Sequence, residues 1–175
     1  MTPPSSWLPD QAPGPTPFEQ VFGLRPDLLE PFRDFYTLFW TRELLDPVVL
    51  ELCRLRVAQL LGNESELRVR YRAALDAGLT EEQVASLPAW PHHPAFTEPQ
   101  RAALAFAEQF VIDPHGIGHD LRDQVADHVG VAGLVALCEA LALFEGFCRF
   151  RTVLGVPAPP TVTIVAAPSP DAALV

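Results

Sequence analysis

Between Arg25 and Leu154, apolar residues return every three or four positions and do not alternate. That spacing lines them along one side of an α-helix, and a chain that keeps it for so long must bury helix against helix. Arg25–Glu43 shows the pattern first, with Leu28, Leu29, Phe32, Tyr36, Phe39 and Trp40 on the repeating face. Helix starts are marked by local chemistry. Asp46 precedes Pro47, an N-cap followed by proline at the first helical position. Thr80 with Gln83, and Thr97 with Gln100, read as capping boxes. The prolines of 88–96 and the glycines of 113–119 predict loops, helices follow over 120–128 and 131–154, and Gly155 provides a stop. The expectation is an all-α domain of about seven helices over residues 18–156.

The two ends read differently. Residues 1–17 carry six prolines, and residues 157–175 are mainly Pro, Ala, Val and Thr. Both are expected to be flexible tails, although TVTIVAA at 161–167 has the composition of a short strand, with a partner chain as one candidate to receive it.

With 175 residues the chain can bury one real core. Its net charge is −10, all twelve basic residues are arginine, and none cluster. Nucleic-acid binding depends on phosphate neutralisation, so no nucleic-acid partner is expected, and an anionic membrane surface is disfavoured for the same reason. The apolar run Val129–Leu143 holds Glu139 and is followed by Glu145, so no membrane partner is expected. The N-terminus has no basic and apolar leader, and the three cysteines form no CxxC pair. Both point to a cytoplasmic protein with reduced, buried thiols.

The stretch LGNESELRVRYRAALDAGL, residues 61–79, carries most of the candidate chemistry. It predicts a Gly62 break and then a helix running to Ala77-Gly78. Asn63 is its N-cap, Glu66 completes a capping box, and Glu66 with Arg70 makes an i,i+4 ion pair. Upstream, Glu51 and Arg54 are three residues apart on the preceding helix. Glu145 and Arg149 are predicted to form a buried pair on a helix apolar almost all round. His115 and His119 lie in a loop containing Gly116 and Gly118, which separates them as ligands, so no metal is expected. Hydrolase, phosphate-loop and dinucleotide motifs are absent.

Five stretches, RPDLLEPF (25–32), LLDPVVLELCRLRVAQLLGN (44–63), ELRVRYRAALDAGLTEEQV (66–84), RAALAFAEQFVIDPH (101–115) and LALFEGFCRFRTVLGV (141–156), together resemble the carboxymuconolactone decarboxylase family, which includes the alkylhydroperoxidase D-like proteins. The resemblance implies a multi-helix bundle and a homo-oligomer. The peroxidase branch carries CxxCxxxH at this helix start, and here those positions hold Asn63, Glu66 and Arg70. Without either cysteine, thiol peroxidase activity is not expected. The resemblance places Glu66, Arg70 and Glu51 as candidate catalytic residues, and Asn63 and His115 as candidate substrate contacts. Arg70, standing where relatives have His, would hold a carboxylate or oxyanion, while Glu66 or Glu51 would move the proton with a pKa raised by burial. The partner expected is a small carboxylate or lactone, with no cofactor and lyase chemistry. The alternative is a non-catalytic binding or scaffold relative.

Overall fold

The computed structural model describes residues 6–166. In these residues the chain is an all-α bundle: α1 (Pro17–Phe22), α2 (Pro26–Thr41), α3 (Pro47–Leu60), α4 (Glu64–Leu67), α5 (Arg72–Asp76), α6 (Glu81–Ser86), α7 (Glu98–Ile112) and α8 (His119–Val153). Helix α3 is central. It packs on α7 and α8, and nearly its whole circumference is buried, from Val48 through Ala58. Helix α2 closes the core from the side with Tyr36, Phe39 and Trp40.

The starts form as the sequence predicts. The Asp46 carboxylate accepts from the backbone N–H of Val48 at 2.7 Å and of Val49 at 3.2 Å. Thr80–Gln83 and Thr97–Gln100 are both reciprocal capping boxes. The expected division of the last helix is also present. At Gly130 the backbone turns to φ 73°, ψ 169°, a conformation glycine adopts without strain, so α8 consists of two helical pieces. By length and composition α8 is long and apolar enough to cross a membrane. In this fold its Leu137, Leu141 and Phe144 are buried in the core between α3 and α7.

On three points the structure adds to or departs from these expectations. First, the helix predicted over 63–77 is interrupted. Val69–Tyr71 is a strand, β1, and it pairs in parallel with β2, Thr163–Val165, so the strand expected near the C-terminus finds its partner within its own chain. Second, the described parts of the two expected tails, mostly exposed or half-buried, make hydrogen bonds to the helical domain. Ser6 Oγ donates to the Leu154 carbonyl at 2.7 Å and Trp7 Nε1 to the Val153 carbonyl at 2.8 Å. They satisfy carbonyls that the end of α8 leaves without helical partners. Arg68 Nη1 donates to the Pro159 carbonyl at 3.0 Å, which holds the other end. The remainder of those tails, residues 1–5 and 167–175, lies outside the described residues. Third, Glu145 and Arg149 do pair, at 2.7 Å, but on the surface, with the arginine side chain 63% exposed. Each lies one residue further along α8 than Phe144 or Cys148, about 100° of rotation away from their buried face.

Replacing Asp46 with alanine removes the acceptor for two backbone donors at the start of the central helix. The expected loss is about 1 kcal/mol of stability in urea unfolding, with an unchanged m-value.

Candidate functional site

Arg54 lies at the centre of the site. Its side chain is 2% exposed, and each of its five N–H donors has an acceptor. Nε and Nη2 grip the two oxygens of Glu51, both at 2.7 Å. Nη1 donates to Glu66 Oε2 at 2.6 Å and to the Glu66 carbonyl at 3.0 Å. The second Nη2 donor takes the Val69 carbonyl at 2.7 Å. A guanidinium can be buried when it is this fully matched.

This network explains the interrupted helix. In a continuous helix the carbonyls of Glu66 and Val69 would accept from residues four further on. Here Arg54 takes both. Arg70 Nη1 takes the Leu67 and Val69 carbonyls, each at 2.8 Å, and the Tyr71 N–H donates to Glu51 Oε1 at 3.2 Å. Buried side chains therefore satisfy backbone groups that would otherwise hold a helix, and Val69-Arg70-Tyr71 is free to extend.

Glu66, 8% exposed, is held from two sides. Arg54 holds Oε2, and Arg151, near the end of α8, ion-pairs with Oε1. Arg151 Nη1 also donates to Ser65 Oγ at 3.1 Å, and its guanidinium lies 4.3 Å from the centre of the Phe18 ring. Burial by itself would raise the Glu66 pKa. The charges of Arg151 and Arg54 outweigh it, and the carboxyl is held below its usual range. The expectation of a pKa raised by burial is thereby corrected: Glu66 is ionised at neutral pH.

Beside this pair opens a cavity of about 810 Å³. Phe18, Val21, Phe32, Phe144 and Phe147 form apolar walls, and Ser65, Glu66, Arg151, Tyr36 and Tyr71 line its polar side. Arg33 and Glu19, ion-paired with each other, also line it. The aromatic wall is tightly interlocked, with the Phe32 and Phe147 rings 4.4 Å apart. Tyr71 stacks on Trp40 at 4.0 Å and lies 5.9 Å from Tyr36, centre to centre. Burial pushes both phenols up, Tyr71 to about 12, so both stay protonated as hydrogen-bond donors. Much of the remaining lining comes from the two ends of the chain, including Gln11, Pro15, Pro157 and Pro160.

The structure separates the predicted residues. Of them, only Glu66 lines the cavity. Glu51 is 0% exposed and reaches Glu66 only through Arg54. Arg70, predicted to anchor an anion, turns away: it is 6% exposed, bonded to its own backbone neighbourhood, with Nε 3.9 Å from Glu81. Asn63 is a structural cap. Its Oδ1 accepts from the Glu66 N–H at 2.9 Å and its Nδ2 donates to the Cys148 carbonyl at 2.9 Å. His115 is exposed in the turn Pro114–Gly116, away from the cavity lining. Sequence reasoning missed Arg151, Tyr36 and Tyr71. Among the described residues no cluster of three or more His, Cys, Asp or Glu side chains could hold a metal. Burial raises the thiols of Cys53 and Cys148 to about 12, which leaves them protonated and weakly nucleophilic.

Comparison with known proteins agrees with this architecture. The model of the carboxymuconolactone decarboxylase family matches residues 26–109. The uncharacterized protein YnjA of Escherichia coli (strain K12) is 26% identical over 117 residues, 67% of this chain and 64% of that protein, so the match spans just under two thirds of the relative. A crystal structure from Agrobacterium tumefaciens, of a protein of unknown function described as a candidate antioxidant defence protein AhpD, superposes with a TM-score of 0.68. It covers 79% of this chain and 95% of its own at 16% identity, a likeness of fold.

Exchanging Arg54 for methionine leaves Glu51 buried without its partner. The expected loss is about 3–5 kcal/mol in chemical unfolding, and adding Glu51→Gln to the same chain recovers part of it.

Proposed function

Since the chain belongs to the carboxymuconolactone decarboxylase family, we propose that it is a cofactor-independent enzyme that moves a proton, by decarboxylation or isomerisation, on a carboxylated or lactone-like molecule held in the cavity. One observation carries this reading: an ionised carboxylate, Glu66, lies on the same cavity as two neutral phenols, Tyr36 and Tyr71. A base with a low pKa accepts a proton only if the charge left behind is stabilised. Phenol hydroxyls beside a carbonyl oxygen supply that stabilisation as an enolate-like oxyanion forms. Arg54 and Arg151 orient Glu66 and keep it ionised, so in this account they act through the carboxylate.

Thiol peroxidase chemistry has no support. The motif positions hold Asn63, Glu66 and Arg70, and two of the three cysteines are buried with pKa values of about 12. A homo-oligomer is also proposed, with Leu28, Phe35 and Leu38 as the exposed apolar residues of α2 available to it.

The test is deuterium uptake from heavy water into the position next to the carbonyl of a bound lactone, read by NMR. Lactones are first selected by thermal shift. The wild type is expected to catalyse uptake, Glu66→Gln to slow it about 100-fold or more, and Tyr71→Phe to slow it by about tenfold or more. The rate should stay level from neutral pH downward. It should fall only as pH drops below the ordinary carboxyl value of 4.5, because Glu66 is ionised above its lowered pKa and loses its capacity to accept a proton below it. Undiminished uptake in Glu66→Gln would remove Glu66 from the mechanism, and stabilisation without uptake by any enzyme form would favour a binding protein.

A further inference from the structure

We propose that the occupant of the cavity is an uncharged, predominantly apolar molecule of drug-like size that carries one carbonyl or hydroxyl group, and not a small carboxylate. This deepens the isomerisation form of the proton-transfer reading, on which it rests for the role of the polar side, by naming the substrate class, and it leaves the decarboxylation form without a substrate.

The first ground is charge. Among the described residues, every charged side chain that lines the cavity is already matched within the wall: Arg151 with Glu66, and Arg33 with Glu19. The remaining contact of Glu66 is Arg54, whose charge is met by Glu51. Arg70, outside the lining, faces Glu81. The signed sum over these eight groups is zero. A carboxylate entering here would leave water for a place with no surplus positive charge, and it would confront ionised Glu66. A carbonyl avoids both costs. It needs only donors, and Tyr36 and Tyr71 are protonated donors on that side of the cavity.

The second ground is size and surface. About 810 Å³ corresponds to the share of roughly 27 liquid waters. It falls in the upper part of the range of drug-sized ligand sites, room for on the order of 20 heavy atoms. A compact lactone of a few carbons would leave most of the Phe18, Val21, Phe32 and Phe147 wall uncovered. An occupant with a long apolar body would bury it.

The test is calorimetric titration of the full chain at neutral pH with a matched series: γ-hexalactone, γ-nonalactone and γ-dodecalactone against hexanoate, nonanoate and dodecanoate below their micelle concentrations. The lactones are expected to gain roughly two- to fourfold in affinity per added methylene. γ-Dodecalactone should bind at least about tenfold more tightly than dodecanoate, given the unmatched charge. Glu66→Gln, which leaves Arg151 unmatched, should shift this preference about tenfold toward the carboxylate. Should that variant fold poorly, Glu19→Gln beside Arg33 should shift it in the same direction by a smaller factor. Equal or tighter binding of dodecanoate by the wild type, γ-hexalactone binding as well as γ-dodecalactone, or no binding by any member would overturn the proposal. Binding is read here without turnover. A lactone that binds but takes up no deuterium overturns the proton-transfer reading alone, and deuterium uptake on a preferred carboxylate overturns this proposal alone.

Discussion

A single buried guanidinium organises this protein. Arg54 lies on the central helix and spends each of its five donors on Glu51, Glu66 and the Val69 carbonyl. A cation that deep is costly unless every donor is matched, and the matching acceptors can be delivered only if residues 66–71 leave the helical path. The break in turn frees Val69–Tyr71 to pair with Thr163–Val165. Tyr71 then stacks against Trp40 of α2 while lining the cavity. One ion-pair network thus fixes the local backbone, the position of the C-terminal segment and one face of the cavity.

The cavity itself is built from contacts between distant parts of the chain. Its aromatic wall comes from helices far apart in sequence, with Phe18 on α1, Phe32 on α2 and Phe147 on α8. Both chain ends then pack over it, held by Ser6 and Trp7 at the end of α8 and by β2 beside β1. These end segments are held mainly by a few side-chain hydrogen bonds to backbone carbonyls and a two-stranded pairing, and such elements open more readily than a helical core. The interior offers the opposite: fixed donors, a fixed carboxylate and close aromatic contacts, the arrangement in which preorganised dipoles do most for a developing charge.

Much of the fold was legible because it depends on local chemistry. Asp46, Thr80 and Thr97 act through neighbours two or three residues away, and the structure forms all three caps. The interruption at 68–71 was not legible, since it depends on a side chain twelve to fifteen residues upstream claiming backbone carbonyls. Local rules also favoured a capped helix there, and Asn63 does cap its first turn. Tyr36 was hidden among apolar residues of the same periodicity, and nothing in α2 marks it as facing a cavity. Arg151 was findable. Phe144, Cys148 and Arg151 are spaced four and three apart, so Arg151 shares the buried face of α8, whereas Arg149, the residue chosen as buried, lies on another face. Periodicity applied to the arginines, and not only to the apolar residues, separates the two.

The most direct measurement of this account is a carbon-detected NMR titration of the Glu66 side-chain carboxyl in the wild-type protein. If Arg54 and Arg151 hold that group as described, its midpoint lies below the ordinary value of 4.5. A midpoint above that value would mean that burial prevails over the two arginines. It would contradict the ionised Glu66 on which both the charge balance of the cavity and its proposed chemistry depend.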